Sequence, residues 1–176
     1  VVGLGNREIT PDALGPRVAD NMMITRHVIR EFGKYALGAE HSNLISSIVP
    51  GVMAQTGMES LEIIRGVIRE TEPDCIVAVD ALAARSVKRL NRTIQITNTG
   101  INPGSGVGNH RHGLNRESVG IPVIAIGVPT VVDAATIVND AISGYYEEVD
   151  CTLNSFFVTP KDIDESIKRL SFTISE

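Results

Sequence analysis

Ile76-Val77-Ala78-Val79-Asp80-Ala81-Leu82-Ala83-Ala84-Arg85-Ser86 decides the fold. Its first half is a short apolar run rich in β-branched residues, too brief for a helix, which is how a strand buried on both faces reads. The run, Cys75 to Val79, meets a carboxylate at Asp80, placing that residue at the carboxyl end of the strand. In open α/β sheets ligands bind at that edge, so Asp80 is a candidate site residue. The alternative is that Asp80 caps a helix starting at Ala81 and running to Leu90.

Working outward, Val1-Val2-Gly3-Leu4 reads as the end of a first strand, so a part of the protein is expected upstream of it. The turn from Gly5 to Pro16 contains Thr10-Pro11-Asp12-Ala13-Leu14-Gly15-Pro16, whose prolines and glycine fix the path of a loop. A helix is expected from Arg17 to Phe32, ended by Gly33, and Ile45 to Val49 reads as a second strand stopped by Pro50-Gly51. Leu61, Ile64, Val67 and Ile68 have helical spacing before Pro73. Downstream, Thr93 to Thr97 alternates as a strand with its isoleucine side buried, and a glycine-rich loop runs from Asn98 to Gly113. Ile121 to Val128 is a further apolar strand that Pro129 ends, and a helix is expected over Thr130 to Val149. The last helix enters at Thr159-Pro160, with Ile163, Ile167, Leu170 and Ile174 on one stripe. Strand and helix alternate throughout, which predicts a mostly parallel open sheet with helices on both faces.

The 176 residues suit a single domain, 1–176, able to bury roughly two-thirds of its unfolded surface without a disulfide or structural metal. Hydrophobic content of 43% with 21% charged residues is ordinary for a globular protein. No apolar stretch approaches the roughly 20 residues of a membrane span, and no basic-then-apolar leader opens the sequence, so a cytoplasmic protein without membrane contact is expected. A net charge of −5 argues against a nucleic-acid surface. Cys75 and Cys151 lack CxxC spacing and are read as reduced thiols.

Three strands feed conspicuous loops that bring Asp12, Asp80 and Asp133 toward the carboxyl edge of the sheet. If Asp12 and Asp80 meet, two carboxylates in a partly buried site do not both ionise readily, and one stays protonated. Such a pair can hold water between a general base and a general acid, as amide hydrolysis requires, or bind a metal through oxygen.

Other motifs are weaker. Gly3-Leu4-Gly5 has Glu8 where a dinucleotide fingerprint needs its third glycine, and Gly104-Ser105-Gly106-Val107-Gly108 lacks the Gly-Lys-Ser/Thr ending of a phosphate loop. His110 and His112 flank Arg111 and read as exposed loop residues before they read as metal ligands. His27 reads as a helix-face residue, and His41 lies in an uninformative polar stretch.

Leu4-Gly5-Asn6 with Thr10 to Pro16, Ile48-Val49-Pro50-Gly51-Val52-Met53 with Thr56-Gly57, Val79 to Ser86, Pro103 to Asn109 and Ile124 to Ala134 together resemble the germination protease family. The resemblance runs from Val1 to about Ile142, and Val158-Thr159-Pro160-Lys161 resembles the family's closing helix entry. It implies an endopeptidase of the spore core that degrades small acid-soluble spore proteins during germination, made as a zymogen and assembled as a homotetramer, with no cofactor. It implies a fold similar to hydrogenase maturation peptidases and an atypical aspartic mechanism, the two proposed catalytic aspartates falling on Asp12 and Asp80. Substrate contact is assigned to Arg85, Asn6 and Asp133, with Arg85 either facing an acidic residue of the target or held in an internal salt bridge.

The sequence departs from the family in three places. The upstream propeptide region is absent, the segment from Tyr145 to Phe157 is shorter than expected, and Asn98 stands where an Asp is expected before Thr99-Gly100-Ile101. Two other functions compete: a nickel-dependent peptidase of the hydrogenase-maturation type, needing His110 or His112 as a ligand, and a non-catalytic module binding a small anion or nucleotide.

Overall fold

A computed structural model describes residues 1–38, 43–105, 112–142 and 155–176. Five strands form one sheet: β1 (Val2–Gly3), β2 (Ile76–Ala84), β3 (Gln95–Thr97), β4 (Val123–Asp133) and β5 (Phe157–Val158). The order is β1-β2-β4-β3, with β5 added to the far end of β4. β2 runs parallel to both β1 and β4, and β3 and β5 are antiparallel to β4. The expected parallel core is therefore present, carrying two short antiparallel additions.

Helices cover both faces. Residues of alternate parity along a strand face opposite sides, so Ile76 and Ala78 of β2 join Val2, Leu4 and Val123 beneath Leu61 and Ile64 of α4 (Ser60–Thr71). Val79 and Val128 instead join Leu14 and Val18 of α1 (Leu14–Asn21) and Ile163 and Ile167 of α7 (Ile163–Ser175). The stripe expected at Ile163, Ile167, Leu170 and Ile174 is the face that α7 packs inward. α1 touches the sheet backbone itself: a Cβ on Gly15 would lie 2.3 Å from the Leu4 carbonyl oxygen and 2.4 Å from that of Val79.

Several boundaries differ from expectation. β2 continues through Asp80 to Ala84, so the helix expected from Ala81 to Leu90 is a strand followed by a 3-10 turn at Val87–Arg89. Ala and Leu favour helices locally, but pairing with β4 overrides that preference. β4 likewise continues through Pro129 to Asp133, and the helix expected over Thr130 to Val149 is described as α6 (Ala134–Ile142). Pro129 follows the last rung to β3, Gln95 to Gly127, so its missing N–H removes no ladder bond. The register of β2 with β4 shifts between Leu82 and Ala83, leaving Thr130 as the extra residue of a bulge.

The helix expected from Arg17 to Phe32 is two helices, α1 and α2 (Arg26–Phe32). The N–H groups of Thr25 and Arg26 donate to the Ile45 carbonyl at 3.1 and 3.0 Å instead of to the preceding turn, which breaks the helix there. Ile45 to Val49 makes one parallel bridge, Ile48 to Val2, rather than a strand. Ile94 and Ile96 lie exposed, so the isoleucine side of β3 is not buried as expected. Short helices α3 (Met53–Thr56) and α5 (Arg116–Val119) complete the described residues. Cys75 is a free, exposed thiol, while Cys151, His41 and His110 fall outside the described residues. Among the described residues no helix is long and apolar enough to cross a membrane.

Candidate active site

Asp80 sits within β2, on the face shared by Ile76 and Ala78, and is 4% exposed. A strand with central apolar neighbours has no local reason to hold a carboxylate, since burying one costs free energy unless it is hydrogen-bonded. Its Oδ1 accepts the Ala81 N–H at 3.0 Å.

Asp12 arrives from the loop that follows β1. The Leu4 N–H donates to the Val79 carbonyl at 2.8 Å, which ties the end of β1 to the residue before Asp80. The chain then turns at Gly5, whose φ of +113° favours glycine and where a Cβ would lie 2.0 Å from the Asp12 carbonyl oxygen. Asp12 ends a 3-10 turn, Thr10–Asp12, that packs against β2, β4 and α7. The Asn6 N–H donates to Asp12 Oδ2 at 2.7 Å and fixes the carboxylate over the turn.

Both aspartates line one cavity of about 780 Å³. Leu4 and Gly5 line it at the end of β1, Ile9 and Pro11 beside Asp12, and Asn102 to Ser105 from the loop after β3. β2 contributes Ala81 to Ala84, and Arg85 and Arg89 add positive charge. Arg85 thus reaches the same cavity as the two aspartates.

Asn6 and Asp133 are placed differently. The Asn6 side chain is engaged locally, its Oδ1 accepting the Glu8 N–H at 3.0 Å and Gln55 Nε2 at 3.4 Å. Asp133 caps α6, accepting the Thr136 N–H at 2.7 Å and its hydroxyl at 2.6 Å. Burial opposes ionisation of Asp133, but these hydrogen bonds outweigh it and hold the carboxyl below its ordinary range. Asp133 does not line the cavity.

Arg89, Gln95, Thr130 and Thr159 also line the cavity, and sequence reasoning missed them. Thr130 carried a signal, being the one hydroxyl in the apolar run from Val123 to Val132. Its carbonyl accepts the Thr159 hydroxyl at 2.8 Å, and its own Oγ1 is buried without a partner among the described residues. His112 belongs elsewhere, with Nδ1 2.6 Å from Glu59 Oε2, beside a smaller pocket under Leu114. Among the described residues no three His, Cys, Asp or Glu side chains gather as a metal-ligand cluster.

The chain is an α/β domain with a mostly parallel open sheet, and two carboxylates and two arginines line one cavity at the strand ends, the edge at which such sheets bind ligands. The family profile described as germination protease matches residues 1–150. The chain belongs to the germination protease family. It is 44% identical to the germination protease of Caldanaerobacter subterraneus, over 99% of this chain and 63% of that protein. It is 56% identical to that of Bacillus velezensis, over 81% of this chain and 38% of that protein. With the germination protease of Clostridium perfringens it shares 42% identity, over 99% of this chain and 62% of that protein. The chain thus spans less than two-thirds of each of these relatives. Among solved structures, the NiFe hydrogenase maturation protease HycI from Thermococcus kodakarensis is similar with a TM-score of 0.48 and 19% identity, covering 99% of this chain and 87% of that one.

Proposed function

We propose that the protein containing this chain is an endopeptidase that degrades small acid-soluble spore proteins during germination, with Asp12 and Asp80 as its catalytic pair. The observation that carries this reading is that both carboxylates line one cavity at the end of β1. One aspartate, ionised, takes a proton from water as the water oxygen bonds to the scissile carbonyl carbon. The other, protonated, gives its proton to the leaving nitrogen as the carbon–nitrogen bond breaks. Water is consumed, no electron is transferred, and the pair ends with its protonation states exchanged.

In this reading Asn6 acts on Asp12 through its backbone N–H, and Arg85 meets an acidic side chain of the substrate. Asp133 serves by anchoring α6 beside the strand that carries Thr130. Synthesis as a zymogen, assembly as a homotetramer, residence in the spore core, action without a cofactor, and a single domain over 1–176 belong to the same proposal and rest on membership of the family.

The test is cleavage of a small acid-soluble spore protein by the full-length protein and its Asp12→Asn and Asp80→Asn variants, each with and without chelator. Each variant is expected to lose at least about a hundredfold in rate with its circular dichroism unchanged, and chelator is expected to have no effect. Undiminished cleavage by either variant removes that aspartate from the mechanism. Activity lost to chelator and restored by nickel replaces the carboxylate pair with a metal mechanism. Arg85→Ala is expected to raise KM about tenfold on acidic-site peptides, and unchanged KM and cleavage sites dispose of its role.

A further inference from the structure

Among the described residues, one surface of the cavity is an unpaired strand edge. β1 ends beside Val79, whereas β2 runs on to Ala84. β4 occupies one edge of β2 as far as Ala84, but among the described residues no strand pairs with the opposite edge past Val79.

The backbone groups of successive strand residues point to alternate edges. Val79 directs its carbonyl to β1, so Ala81 and Ala83 direct theirs to the same side, where β1 is no longer present. The Ala81 N–H is taken by Asp80 Oδ1, which leaves the Ala81 carbonyl and both groups of Ala83 on the open edge. Ala81 to Ala84 line the cavity, together with Ile9 and Pro11 from the turn that carries Asp12.

Proteins blunt or cover sheet edges because an open one pairs with other chains. Here a short edge is left open inside the cavity, next to two carboxylates. We propose that the substrate's main chain adds to β2 as a strand along Ala81–Ala84, in the lane that β1 vacates. The proposal rests on the peptidase reading above and adds how the substrate is held. Four residues of strand extend roughly 13 Å, enough to pair with about four residues of an extended peptide and to set the next peptide bond beside Asp80. Main-chain hydrogen bonds would then supply affinity and side-chain contacts selectivity. The site takes unfolded segments in extended form and rejects helical ones.

The test is kinetics of the full-length protein on a peptide spanning one cleavage site of a small acid-soluble spore protein, against a set in which each backbone amide in turn is N-methylated. Strand addition predicts KM raised at least about tenfold at alternate residues on one side of the scissile bond, with intervening positions within about twofold. A uniform effect, or none, while the parent peptide is cleaved overturns strand addition and leaves the peptidase reading standing. A parent peptide that is not cleaved overturns both. Ala83→Pro, which removes the donor on the open edge, is expected to raise KM about tenfold with kcat within about twofold. An unchanged KM in a folded Ala83→Pro protein counts against the proposal, and the N-methyl series decides the matter if that variant does not fold.

Discussion

Replacing Gly15 by alanine tests how α1 holds the site together. The added Cβ would stand 2.3 Å from the Leu4 oxygen, 2.4 Å from the Val79 oxygen and 2.6 Å from the Leu4 nitrogen, all backbone atoms of β2 and of the residue that follows β1. Ordinary contact begins near 3.4 Å, so helix and sheet must separate by about 1 Å, the difference between 3.4 and 2.4 Å. Overpacking of this kind costs about 1–3 kcal/mol, and the better helix propensity of alanine returns up to about 1 kcal/mol. The midpoints of these ranges leave a net loss of about 1.5 kcal/mol, which at a urea m-value of roughly 2 kcal/mol/M lowers the unfolding midpoint by about 0.75 M. Asp12 lies three residues before Gly15. A 1 Å misplacement of catalytic geometry can cost on the order of a hundredfold, so cleavage per folded molecule is expected to fall by about that factor. Urea unfolding followed by circular dichroism reads the first quantity, and initial rates on a spore-protein substrate read the second. An unchanged midpoint would refute the close packing of α1 on the sheet. A lowered midpoint with full activity per folded molecule would refute the claim that this packing positions Asp12.

Ile167, fully buried between α1 and the sheet, is expected to cost about 2–5 kcal/mol when changed to alanine, read as a fall in the urea midpoint. Asp133→Ala removes the cap of α6 and is expected to cost about 1 kcal/mol at pH 7. Because folding lowers the Asp133 pKa, its contribution is complete above the ordinary value of 3.8 and fades as pH falls through the lower folded value. Urea midpoints for the parent and Asp133→Ala proteins should therefore converge below about pH 4, and a gap that widens there would contradict the assignment.

The elements whose burial is repeated at helical or strand spacing were legible in the sequence. Ile163 and Ile167 marked the inward face of α7, and Ile76 to Val79 marked a two-sided strand. Boundaries failed where a partner far along the chain overrode local preference. Ala81-Leu82-Ala83-Ala84 is helix-favouring by itself and becomes strand only because Val128 to Val132 lie alongside. Pro129 looks like a terminator until the end of the β3 pairing shows that its N–H has no ladder bond to lose. At the site, Asp12 stood out as a carboxylate in a loop fixed by prolines and a glycine and Asp80 as one that follows an apolar run, and both reach the cavity. Asp133 stood out for the same reason but spends its oxygens on Thr136, a local use that spacing alone does not separate from a functional one. Arg89 and Gln95 carried no signal, because their arrival depends on how the chain returns after β2.

The packing of α1 against α7 also bears on how the chain is made. Val18 and Ile167 meet in one cluster although 149 residues separate them in the chain. At synthesis rates of about 5–20 residues per second, α1 waits roughly 7–30 s on the ribosome before its partner emerges. During that interval Leu14, Val18 and Met22 lack the cover that α7 gives them. The nascent chain is then a natural client for a chaperone that shields apolar surface, and a slowly translated codon run before Ile163 would lengthen the exposure.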